Sequence, residues 1–143
     1  MYVLVLEEKR KVVKLTEEER KWNKVWDMWA DGTLESPYNE LLEYSSQVNG
    51  GGHLCFFDNV SGEDISKLDK VISVLLDTLP TVFVSKLKRA YDSYCKDSVD
   101  KEGDKIASEK TVKYTDELDN IFYDNEELVN GMIREYSNSI ELE

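Results

Sequence analysis

The sequence predicts an all-α fold, a compact bundle of about six helices with a short strand at the N-terminus. Three observations carry that expectation. Apolar residues recur at helical spacing along most of the chain. Capping and stop signals bound the periodic stretches. The 143 residues, 41% of them hydrophobic, suit a single domain with one core. Residues 1–143 therefore read as one helical domain, with 1–15 its least ordered part and 97–113 a long polar loop.

Tyr2 to Leu6 has local strand character, yet nothing later in the chain offers it a clear partner. Thr16-Glu-Glu-Glu19 is a capping box, and behind it Trp22, Val25, Trp26 and Trp29 fall at i, i+3, i+4 and i+7. At that spacing the three tryptophans read as core. Asp31-Gly32 stops the helix. Ser36-Pro37 opens the next, with Tyr38, Leu41, Leu42 and Val48 on its buried face, and Asn49-Gly50-Gly51-Gly52 ends it. The segment from His53 to Asn59 reads as a tucked turn that pushes Phe56 or Phe57 inward.

Ser61-x-x-Asp64 starts a helix carrying Leu68, Val71, Ile72, Leu75, Leu76 and Leu79, closed by Pro80. Phe83, Leu87, Ala90, Tyr91 and Tyr94 continue the pattern to about Lys96. Periodicity is lost over 97–113. Leu118, Ile121 and Phe122 resume it after Thr115, and Asp124 is placed to cap a last helix with Val129, Met132, Ile133 and Tyr136 on one face.

Thirty acidic residues face eighteen basic ones, a net charge of −12. That sign argues against direct binding to nucleic acid or to an anionic membrane, because both need a cationic surface. It favours a basic partner. No apolar run approaches the ~20 residues of a membrane span. Met1 to Leu6 is too short for a secretory signal, and two cysteines suit a reducing compartment, so a cytoplasmic protein is expected. The charge is also uneven. Residues 116–143 hold nine acids and a single base, Arg134, whereas seven bases lie between Lys9 and Lys24.

Few constellations advertise chemistry. His53 is the only histidine, so a His-based metal set is excluded and His53 with Cys55 is the one nucleophile–base pair to weigh. Cys55 lies between Leu54 and Phe56, which suits a buried, inert thiol. Ser98 to Glu109 places Asp100, Glu102 and Glu109 at calcium-loop positions around Gly103, but Ser98 stands where an aspartate is expected. Gly50-Gly51-Gly52 lacks the Lys-Ser/Thr of a phosphate loop. Neither a metal nor a cofactor is expected. What remains is a carboxylate surface formed by Asp116, Glu117, Asp119, Asp124, Glu126, Glu127 and Glu135.

The run from Asn49 to Asn59 resembles the signature of the bacterial DNA-mimic-protein-like family, in which an Asn-Gly-Gly turn precedes an aromatic pair and an Asn. Asn49, Gly50, Gly51, Phe56, Phe57 and Asn59 carry the likeness, with weaker similarity at Lys88-Arg89-Ala90-Tyr91 and Leu118 to Tyr123. These motif residues read as structural. The third glycine and the 97–113 insertion depart from the pattern.

The resemblance implies a small cytoplasmic all-α protein whose acidic surface imitates DNA and occupies a basic DNA-binding protein, such as a transcription regulator. The chain is therefore expected to be non-enzymatic, as a monomer or a homodimer. Two alternatives stay open. One is an immunity-type inhibitor that covers a nuclease toxin. The other is an enzyme or small-molecule binder with a pocket near His53.

Overall fold

The computed structural model describes residues 14–62 and 64–142. The expected strand at 2–6 lies outside them, as does most of the segment 1–15. Among the described residues the regular structure is helical, apart from an isolated antiparallel bridge between Val99 and Lys105. Five helices follow one another: α1 (Glu17–Ala30), α2 (Tyr38–Ser61), α3 (Ile65–Thr78), α4 (Thr81–Lys96) and α5 (Glu109–Asn138). The expected count of six falls to five because the last two predicted helices are one. Asp124 does not start a new helix. The chain instead passes through a single non-helical residue, Asn125, whose side-chain amide donates to the Ile121 carbonyl at 2.9 Å.

The chain divides into two compact units. The first takes the residues up to Leu34 together with those from Arg134 onward; the second is Glu35–Ile133.

In the first unit, the Thr16 hydroxyl accepts from the Glu19 amide and the Glu19 carboxylate accepts from the Thr16 amide, both at 3.1 Å. Glu17, Glu18 and Glu19 also complement the positive end of α1. Val25 is fully buried, but Trp22, Trp26 and Trp29 are only half-buried, which corrects their reading as core. The indoles flank the Val25 stripe and pack on one another and on cations. Trp26 meets Trp29 edge-on at 5.9 Å, and the Arg134 guanidinium lies over Trp22 at 5.4 Å.

The second unit holds the large core. Leu41, Tyr44, Val48, Phe56 and Phe57 come to it from α2, Leu68 and Leu75 from α3, Phe83 and Leu87 from α4, and Leu118 and Phe122 from α5, all fully buried. Helix α2 packs against α3, and α3 against α4. The glycine run does not end α2. Helical geometry is broken at Gly52 alone (φ 81°, ψ 178°) and then resumes, so His53 to Asn59 forms a second helical arm in place of a turn and buries both Phe56 and Phe57.

Ser61 closes α2, with its hydroxyl bonded to Tyr94, and Asp64 caps α3 by accepting from the Ser66 amide. The polar loop is shorter than expected, because α5 begins at Glu109. Ser108 supplies the missed cap: its hydroxyl accepts the Thr111 amide at 3.1 Å.

Candidate functional site

A hydrogen-bonded chain of three side chains runs through the core of the second unit. Tyr44 sits in the first arm of α2, His53 just after the kink, and Asp119 on α5. The Tyr44 hydroxyl is 2.6 Å from His53 Nε2, and His53 Nδ1 is 2.6 Å from Asp119 Oδ1. The same carboxylate oxygen accepts the His53 backbone amide at 2.8 Å. A carboxylate can only accept, so Nδ1 carries the proton and Nε2 of a neutral ring accepts from the tyrosine.

Gly52 makes the approach possible. Its φ of 81° is one that side-chain-bearing residues rarely adopt, and a Cβ there would lie 2.8 Å from Asp119 Oδ2.

Burial decides the protonation states. It pushes the His53 imidazole below its ordinary pKa, and this outweighs the opposing hydrogen bond and charge of Asp119. Burial, helped by the Asp119 charge, pushes the Tyr44 phenol well above its ordinary value. Both groups are therefore neutral at pH 7. Phe122, Phe56 and Phe57 surround them with ring centroids 5.2–6.4 Å away. The His53 side chain is 0% exposed and both its nitrogens are occupied, so it offers no base to an incoming substrate. Nor does it meet Cys55, which the helical arm turns outward. Cys55 is exposed, which overturns its reading as a buried thiol.

The carboxylates read from the sequence divide into groups. Asp116, Asp124, Glu127 and Glu135 are exposed and Glu126 is half-buried. Glu117 forms an ion pair with Arg89 of α4. Asp119, read as surface, has a side chain only 25% exposed and serves the core through His53. Glu135 falls in the first unit, apart from the others.

Of the motif residues, Phe56 and Phe57 are core, whereas Asn49, Gly50, Gly51 and Asn59 are exposed and build no turn. The glycine with the structural role is Gly52, which that set left out. Asp100 uses one carboxylate oxygen to accept the amides of Glu102 and Asp104, each at 2.9 Å, so it organises its own loop. Among the described residues no three His, Cys, Asp or Glu side chains converge as a metal site. No helix among them is long and apolar enough to cross a membrane.

Sequence reasoning missed Tyr44 and misplaced Asp119. The usable signal was a lone histidine directly after a glycine and within an apolar run, since a buried imidazole requires a polar partner on each nitrogen. No family model matches the chain, no curated protein matches its sequence and no solved structure matches its fold.

Proposed function

We propose that the chain is a non-enzymatic, cytoplasmic protein that binds a basic DNA-binding protein, such as a transcription regulator, through acidic residues of α5 that stand in for DNA phosphates. The observation that carries this reading is the state of Asp116, Asp124 and Glu127. All three are exposed, and among the described residues no cation lies within ion-pair distance of them. Asp116 and Asp124 lie eight residues apart on α5, roughly 12 Å of rise, or between about three and four base pairs of duplex, and Glu127 follows just past the non-helical Asn125.

Asp116, Asn120 and Tyr123 recur at i, i+4 and i+7 and are all exposed, so an aromatic ring lies beside the charge. Such a surface steers a basic groove by charge and anchors it through Tyr123. The occupied nitrogens of His53 support the non-enzymatic side of the reading.

The test is competition. Basic DNA-binding proteins retained from host lysate at low salt are challenged with a DNA duplex and, separately, with rising salt. The expected result is displacement by both, with association at least tenfold slower for the D116N/D124N/E127Q variant. A partner that holds the protein and the duplex together would overturn mimicry, as would the absence of any basic partner at low salt.

A further inference from the structure

Against the charge of the chain as a whole, four cations gather at one place in the second unit. A cavity of about 480 Å³ lies where the second half of α4 meets the start of α5, and Lys88, Arg89, Lys96 and Lys110 line it. Its volume is that of a small-molecule site. We propose that this cavity binds a phosphomonoester group carried by a small molecule.

The lining also holds Asp92 and Asp97, so four positive charges face two negative ones. Just outside, Glu117 neutralises Arg89, while Lys105 adds a cation by donating to the Asp97 and Cys95 carbonyls at 2.8 and 3.1 Å. These two offset each other. The excess of two positive charges matches a phosphomonoester, which carries about −1.5 to −2 at pH 7.

One of the four cations stands where the helix itself disfavours it. Lys110 lies in the first turn of α5, at the positive end of the helix dipole, where an anion is favoured and a cation is not. Its ammonium lies over the Tyr114 ring at 5.7 Å, and the Arg89 guanidinium lies over the same ring at 4.1 Å. Cations from α4 and α5 thus converge on one ring, and an anion at that ring meets positive charge from both helices.

Arg89 is held by Tyr114 and Glu117, Ser93 is bonded to Thr111 at 2.7 Å, and Asp97 is tied to the Ser108 amide at 3.3 Å. Arg89, Ser93 and Asp97 are therefore in place before a ligand arrives.

Titration of the full chain with inorganic phosphate and with an alkyl phosphomonoester, at constant ionic strength in chloride, tests the site by calorimetry and amide chemical shifts. Binding is expected with shifts at Arg89, Lys110 and Tyr114, weakened at least tenfold in K88Q/K110Q. The variant K67Q/K70Q removes the same charge from exposed positions on α3 and should leave binding unchanged. Tighter binding of the ester is the expected result; binding of free phosphate as tight as that of the ester would overturn the small-molecule ester as occupant. Equal weakening by both double variants, or no binding beyond that of chloride, would overturn the proposal.

Discussion

Asp119 Oδ1 accepts two hydrogen bonds from one residue, the backbone amide of His53 at 2.8 Å and its ring Nδ1–H at 2.6 Å. A single carboxylate oxygen on α5 thus fixes both the main chain and the side chain immediately after the kink in α2. Replacing Asp119 with Ala leaves two buried donors without an acceptor. We expect a loss of about 3 kcal/mol in urea unfolding, since each orphaned donor costs about 1–3 kcal/mol. A loss below about 1 kcal/mol would mean that solvent replaces the carboxylate.

The kink separates two neighbouring glycines. Gly52→Ala forces a side chain into a backbone region nearly reserved for glycine and against Asp119, so we expect a loss of about 3 kcal/mol. Gly50→Ala, helical and with open space around its Cβ, should instead stabilise by about 0.5–1 kcal/mol. Equal effects at the two positions would contradict the kink.

Stability should depend on pH through His53. Its folded pKa lies below the unfolded value of about 6.5, so the unfolded chain binds the proton more readily. The contribution is complete above about pH 6.5 and is lost as pH falls through the folded pKa. The melting temperature of the wild type should therefore drop between pH 7 and 5 more steeply than that of H53Q. Parallel curves would show that the imidazole is not buried neutral.

A matching alkaline limb comes from the tyrosines. Burial raises the Tyr44 phenol well above its ordinary pKa of about 10 and pushes Tyr94 up to about 12, so stability is complete below pH 10 and is lost as pH rises through these values. Absorbance at 295 nm should show these phenolates appearing only as the protein unfolds.

Packing gives a fifth test. Phe122 is fully buried against Tyr44, His53 and Phe83, and Phe122→Ala should cost about 3–5 kcal/mol. Trp26 is only half-buried, and Trp26→Ala should cost about half as much by unfolding calorimetry.

The sequence carried the helices well wherever periodicity and caps agreed. Thr16-x-x-Glu19 marked α1, and the Leu68-to-Leu79 stripe marked α3. It misled where one residue does two jobs. Glycines are stop signals by composition, but only Gly52 leaves helical geometry, and which of three glycines does so depends on Asp119, 67 residues away. Helical spacing placed Trp22, Trp26 and Trp29 on one face without saying how deep that face lies. Of the Tyr44–His53–Asp119 chain only the lone His53 was legible, because the spacings of its two partners belong to the tertiary packing. The cationic cavity was hidden for the same reason. Lys88 and Lys110 lie far apart in sequence, inside a chain whose summed charge has the opposite sign.

Helix α5 starts beside that cavity and carries its unpaired acids further along, with Lys110 and Asp124 fourteen residues and roughly 21 Å apart. Helix α5 therefore separates Lys110 from its exposed acids along its axis. In the field of a charged partner this produces a torque before any contact is made, and it turns the acidic end toward a basic surface. Salt would abolish that alignment at long range.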